Sequence, residues 1–434
     1  MYILAKQLDF WSSKFTNLQL LEQFPSNEFS FQEKTYSLFV IQVNPVCRNC
    51  QVMDLKPLQS VDNLSKSWLE KMLSSYHRQS VFLENYELDI PSKTQGFLSD
   101  IFFLKTTYYL TGIKESTNLV VKLLPSKKEL INFIKEGYLA EREVKFYEFS
   151  VSEVFQRVLT ASPICHLIPK IYYSAVNESS VTLVMEDLRD YNYEPVIVRD
   201  GSDLQQTVAI VRSAAVVHAA GVLYRIENGS FPDLQSVDKK FYDEILKTNL
   251  KYLASRYAGK PIANVFSQLI ELTNEMYIYT ARYPLFDTII HGDLWAGQSL
   301  FSSNRESVCL IDWQFCAVGN PVIDLQGQFF MSTDPVVLDT NLEEILKQYW
   351  SSFNDVLSRE NVASPCTFQE FSECVDKLWI CGFFYLAVSI HDFIDGGNIS
   401  DKRLDGYVEF LSKRRILESF LESLPGKNVR LNQR

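Results

Sequence analysis

One stretch of the sequence gathers side chains suited to moving a phosphoryl group. His291-Gly-Asp-Leu-Trp-Ala-Gly-Gln298 is followed by Ser299-Leu-Phe, a polar turn from Ser302 to Ser307, and Val308-Cys-Leu-Ile-Asp312-Trp-Gln314. Phosphoryl transfer needs a carboxylate that accepts or orients the attacking hydroxyl, and oxygen ligands that hold magnesium against the nucleotide phosphates. Asp293 is the candidate base, Asp312 the candidate magnesium ligand, and the amide oxygen of Gln298 a second ligand.

These groups must converge, and the elements around them supply a way. Two short strands joined by a five- or six-residue turn bring the ends of a hairpin together, so that Asp293, Gln298 and Asp312 converge. The hairpin interrupts text that is otherwise helical from residue 187 onward. Leu204, Val208, Val211, Ala215 and His218 form one apolar stripe, and Leu342, Ile345, Leu346, Tyr349, Trp350 and Phe353 another. His218 on such a stripe reads as a core histidine.

Ahead of this region the text is mixed. A capping box from Ser67 to Glu70 opens a helix with Trp68, Leu69, Met72, Leu73 and Tyr76 on one face. Strands follow from Gly96 to Pro125 with a turn around Gly112 and Ser116, then a helix from Glu129 to Ser150, then strands at 169–174 and 181–185. The expected class is therefore α+β, with a β-rich unit at residues 63–186, a mostly helical unit at 187–425, a tail at 426–434, and a flank at 1–62 that shows no period.

His291-Gly-Asp-Leu-Trp with Ile311-Asp-Trp-Gln314 resembles the catalytic and metal motifs of the ecdysteroid-kinase-like family, relatives of choline kinases and aminoglycoside phosphotransferases. The resemblance implies a bilobal protein-kinase-like fold and an ATP- and magnesium-dependent phosphotransferase acting on a small-molecule alcohol, steroid- or choline-like. Carried onto this chain, it implies that Lys122, in Val121-Lys-Leu-Leu-Pro125, touches the nucleotide phosphates and that Glu143 backs it. It places Gly96 and Ser99 in a phosphate-covering loop. Met185, Glu186, Asp187 and Leu188 fall in the segment whose main chain reads the adenine edge. His291 would shape the catalytic loop and Asp324 would be structural. The family usually carries asparagine where this chain has Gln298, and a catalytically inactive nucleotide- or ligand-binding protein is the alternative that this change raises.

Composition narrows the partners. With 434 residues and a formal charge of −11, the chain has length for more than one core and no bulk positive field for nucleic acid. Eight scattered cysteines read as reduced thiols. Cys47 and Cys50 form a lone C-x-x-C without a second ligand pair at zinc spacing. No cleavable hydrophobic leader is evident near Met1. The longest uninterrupted apolar run, Leu378 to Ile390, is shorter than the roughly 18 residues a membrane span needs. A cytoplasmic protein with no membrane span is the expectation.

Overall fold

A computed structural model describes residues 39–41, 55–91, 98–234 and 242–424. Gly96, the Cys47/Cys50 pair and the 426–434 tail lie outside the described residues. Two compact units divide the chain, one from Met1–Thr160 with His166–Glu194, the other from Ala161–Cys165 with Pro195–Arg434. The division at Glu194 lies beyond the expected residue 186, because the turn after the last strand stays with the sheet: the Asp187 amide donates to the Asn118 carbonyl at 3.2 Å.

The first unit is built on a six-stranded antiparallel sheet. Its strands are β1 (Phe39–Ile41), β2 (Val81–Asp89), β3 (Asp100–Leu110), β4 (Ile113–Leu123), β5 (Ile171–Val176) and β6 (Val181–Glu186), in the order β1-β5-β6-β4-β3-β2. A two-residue turn joins β3 to β4, with Leu110 opposite Ile113 and positive φ at both Thr111 (51°) and Gly112 (82°). Such a turn matches the twist of the strands it connects. It fixes the register, so that Val121 and Leu123 face the core while Lys122 faces the other way.

Helix α1 (Lys66–His77) buries Trp68, Leu69, Met72 and Leu73 against this sheet. Its cap is Ser65, two residues ahead of the expected one: the Ser65 hydroxyl accepts the Trp68 amide at 3.2 Å. Glu70, expected to close a capping box, instead accepts the Leu83 amide of β2 at 3.0 Å. The expected helix from Glu129 is two helices, α2 (Lys128–Glu136) and α3 (Leu139–Ser150), broken at Gly137 and at Tyr138, whose φ is +53°. The packed chain also reaches back to Leu55, inside the flank that shows no period in the sequence. Leu55 and Leu58 are buried, the Tyr173 hydroxyl donates to the Leu55 carbonyl at 2.6 Å, and the Leu58 amide donates to Thr182 at 2.7 Å.

In the second unit, α4 (Leu204–Asn228) opens on a capping box of Asp203 and Gln206 and ends at Gly229, with φ +75°. Short strands β7 (Thr288–Ile290), β8 (Ser299–Phe301), β9 (Val308–Leu310) and β10 (Ala317–Gly319) pair as β8 with β9 and β7 with β10. Helices α5 (Val322–Met331), α6 (Pro335–Arg359) and α7 (Trp379–Asp395) complete the frame used below. Helix α4 packs on α6 and on β7 and β9.

Among the described residues α4 is the one helix long and apolar enough by itself to cross a membrane, and 83% of its most apolar stretch is buried. A search for uninterrupted apolar runs passes over it because Arg212 and His218 break the run. Among the described residues Cys309, Cys316, Cys374 and Cys381 are buried thiols outside any disulfide, Cys366 is half-buried and Cys165 is exposed.

Candidate active site

In the second unit, the loop after β7 carries His291, Gly292 and Asp293. Gly292 has φ +77°, and a Cβ there would lie 2.1 Å from the Phe315 carbonyl oxygen, so only glycine fits. Asp324, at the start of α5 and 1% exposed, holds this loop. Its carboxylate accepts the His291 amide at 2.6 Å and the Gly292 amide at 2.9 Å.

The same carboxylate lies 3.1 Å from Nε2 of buried His218, whose Nδ1 is 2.9 Å from the Tyr349 hydroxyl. Burial pushes the Asp324 carboxyl up, but the hydrogen bond to His218, its electrostatic surroundings and the bond from the His291 amide outweigh that and hold the group below its ordinary value. Asp324 therefore stays an acceptor. It and His218 anchor the loop from behind.

His291 Nε2 sits 2.9 Å from the Ile311 carbonyl, and since a carbonyl only accepts, that nitrogen carries the proton. Burial keeps the ring below its ordinary pKa against the opposing pull of Asp324. A neutral ring clamped to the residue before Asp312 ties the two carboxylate segments together. Trp313 packs against the same ring at 4.4 Å between centroids.

Asp312 itself has φ +64° and ψ +63°. That left-handed conformation is uncommon outside glycine, and aspartate is among the residues that tolerate it.

Asp293 is partly buried. Burial is the largest influence on its carboxyl and the Asp312 charge adds to it, so that despite stabilising contacts from Gln298 and Trp295 its pKa rises to about 7. The Gln298 side chain donates from Nε2 to Asp293 Oδ2 at 2.9 Å. The main chain of Gln298 is also committed: its amide donates to the Trp295 carbonyl at 2.9 Å and its carbonyl accepts from Ile311 at 3.0 Å. The hairpin thus brings His291, Asp293, Gln298 and Asp312 together.

Two supports of the loop come from residues that local spacing does not mark. The Tyr385 hydroxyl of α7 donates to the Gly292 carbonyl at 3.0 Å, and Ser332 accepts the Ala296 amide at 2.8 Å. Tyr385 lies in an aromatic run, Phe383-Phe-Tyr385, which identifies a core helix and gives no sign of which ring carries a hydrogen bond.

The remaining expected residues are in the first unit. Lys122 Nζ donates to both Glu143 oxygens, at 2.8 and 2.7 Å, and both side chains are buried. Removing either partner of such a pair strands a buried charge, at a cost of about 3–5 kcal/mol. Met185, at the end of β6, is buried beside Tyr147. The Glu186 amide donates to the Lys170 carbonyl at 2.9 Å, and the Leu188 carbonyl accepts from Tyr193 at 3.1 Å. The side chain of Asp187 is paired with Arg189. Ser99 is buried just ahead of β3.

A magnesium ion held jointly by protein and nucleotide needs only one or two protein oxygens. Among the described residues no group of three or more His, Cys, Asp or Glu side chains could hold a metal alone. Asp312 suits the shared arrangement. Gln298 gives its amide nitrogen to Asp293, which leaves its amide oxygen as the atom for such a role.

The profile of the ecdysteroid kinase-like family matches residues 93–362. Among solved structures, a Plasmodium vivax ethanolamine kinase is 12% identical with a TM-score of 0.39, over 77% of this chain and 84% of its own. A choline/ethanolamine kinase family protein from Mesorhizobium loti is 12% identical with a TM-score of 0.35, over 78% and 88%. A GDP complex of an aminoglycoside 2'-phosphotransferase variant is 12% identical with a TM-score of 0.36, over 83% and 99%. No curated protein matches significantly. With the matched residues covering well over half its length and both carboxylate motifs, the chain belongs to the ecdysteroid kinase-like family, whose members are kinase-like phosphotransferases.

Proposed function

We propose that this protein transfers the γ-phosphoryl group of ATP to an alcohol hydroxyl of a small molecule, steroid- or choline-like. The observation that carries this reading is the clamped loop in which Asp293 stands beside Gln298 and the Asp312 segment. Asp293 accepts the hydrogen bond and then the proton of the attacking hydroxyl, and a carboxyl poised near neutrality is suited to that exchange. The new bond joins the hydroxyl oxygen to the γ-phosphorus as the bond to the ADP oxygen breaks. Asp324, His218 and His291 hold the loop in place.

Magnesium, when bound with the nucleotide, neutralises phosphate charge, and Asp312 is the residue that would hold it. Lys122, kept extended by Glu143, offers its charge to the phosphates. The adenine edge falls to main-chain groups of the Met185–Leu188 segment. An inactive nucleotide- or ligand-binding protein is the second reading, raised by Gln298 standing where the family usually carries asparagine.

Thermal unfolding with ATP, with and without magnesium, tests the reading. At 100 times its dissociation constant a ligand adds about 2.7 kcal/mol. Wild type should shift only when magnesium is present, and Asp312→Asn should not shift. Asp293→Asn should keep the shift yet release no ADP from ATP. Steady ADP release by Asp293→Asn would remove Asp293 from its role, and a shift without ADP release in wild type across sterol, choline and ethanolamine acceptors would favour the binding protein.

A further inference from the structure

The loop of the candidate site is held from both ends of one helix. Asp324, in the first turn of α5, takes the amides of His291 and Gly292, and Ser332, just past the last residue of α5, takes the amide of Ala296 at 2.8 Å. A helix of 10 residues is about 15 Å long, so the two anchors grip the loop at separate places. An anchor positions a loop only as well as its own place is fixed. Ser332 lies at the helix end, where carbonyls have no partner within the helix.

Three successive carbonyls around Ser332 are each taken by another segment. The Ser332 carbonyl accepts the Ser202 amide at 2.6 Å. The Met331 carbonyl accepts from Nη2 of Arg403, and the Thr333 carbonyl accepts from the Tyr407 hydroxyl at 2.5 Å. Arg403 and Tyr407 stand one turn apart on α8 (Asp401–Lys413), and Arg403 Nε donates to the Tyr407 oxygen at 3.2 Å. Nη1 donates to the carbonyls of Val198 and Asn398, the latter at 3.1 Å.

Arg403 is 2% exposed, and these acceptors are neutral oxygens. Burying a guanidinium among them costs desolvation, offset in part because a cation at the end of α5 meets the negative pole of its dipole. What the arrangement supplies is direction. The planar fork aims its donors at carbonyls of separate segments, which the ammonium of a lysine on its flexible stem does not do.

We propose that Arg403 is a positioning residue for the candidate active-site loop, acting through the turn at 331–333 and the Ser332 hydroxyl on the Ala296 amide. Its effect on turnover rests on the phosphotransfer reading, and its effect on the loop does not.

Three variants of the full chain test it. Ser332→Ala removes the hydroxyl that takes the Ala296 amide, Tyr407→Phe removes the one that takes the Thr333 carbonyl, and Arg403→Lys keeps the charge without the fork. One readout is hydrogen exchange at the Ala296 amide, resolved by fragmentation mass spectrometry, with the amides of α4 as the control for global opening. The other is ADP release from ATP with water as acceptor.

Exchange at Ala296 should quicken about tenfold in each variant while the α4 amides keep the wild-type rate, and ADP release should fall about tenfold with KM for ATP within about twofold. Ser332→Ala combined with Arg403→Lys should lose no more than about twofold beyond the less active single variant, since both act on one contact. Wild-type exchange at Ala296 in Tyr407→Phe or in folded Arg403→Lys, exchange that quickens equally in α4, or losses that multiply in the double variant would overturn the proposal. Tyr407→Phe keeps the test decisive should Arg403→Lys not fold. Quickened exchange in the variants of a protein that releases no ADP would keep the anchor and overturn the phosphotransfer reading alone.

Discussion

At the scale of single residues, the informative group is a carboxyl whose proton affinity is set by its neighbours. Asp293 has a folded pKa of about 7 against an ordinary value of 3.8. Between those values the unfolded chain releases this proton while the folded chain keeps it, so the group's contribution to stability falls as pH rises and is flat above 7. Without nucleotide or metal, Asp293→Asn should therefore match wild type near pH 4 and exceed it near pH 8 by roughly 1–4 kcal/mol, read from urea unfolding at each pH. Equal differences at both pH values would mean that the carboxyl is not held above its ordinary range. Asp293 and Asp312 were legible in the sequence because they sit in compact motifs. The contacts that hold the loop, Asp324 with His218 and Tyr385 with Gly292, join residues 106 and 93 positions apart, and such pairings follow from packing, which spacing along the chain does not encode.

At the scale of elements, the strands and long helices follow from periodicity, and the errors fall at their ends. Helix α1 starts at Ser65 because the first available hydroxyl takes the amide, which leaves Glu70 to the edge strand β2. The break between α2 and α3 at Gly137 and Tyr138 carries only a single glycine as its sign, and one glycine is tolerated inside many helices. The hairpin of the candidate site was legible through its turn residues, but the fit of its loop was not. Gly292 combines a left-handed φ with a Cβ position 2.1 Å from the Phe315 carbonyl oxygen. Gly292→Ala should destabilise the second unit by more than about 2 kcal/mol, seen as a lower urea midpoint at unchanged slope. A midpoint equal to wild type would mean that the loop has room to rearrange.

At the scale of the whole molecule, the α+β plan and its division into two units were readable from the change in text, strands first and helices after. The start of the first unit was not, because Leu55 and Leu58 belong to no repeating element and are held by core packing and by hydrogen bonds to Tyr173 and Thr182. A chain beginning at residue 65 should lose those contacts, and its first unit should be cut faster by protease than that of a chain beginning at residue 55. Equal rates would assign the segment no part in the core.

The buried α4 has a consequence for how the chain is made. Its packing partner α6 is synthesised only after residue 335, and at about 5–20 residues per second the ribosome needs roughly 5–20 s to bridge that gap. During this interval the nascent chain displays a helix whose composition would suit a lipid bilayer. Arg212 and the His218 imidazole, at its centre, are the features that oppose insertion before their partners arrive. The histidine that holds the candidate loop in the finished protein thus also adds to the cost of placing this helix in lipid before its partners exist.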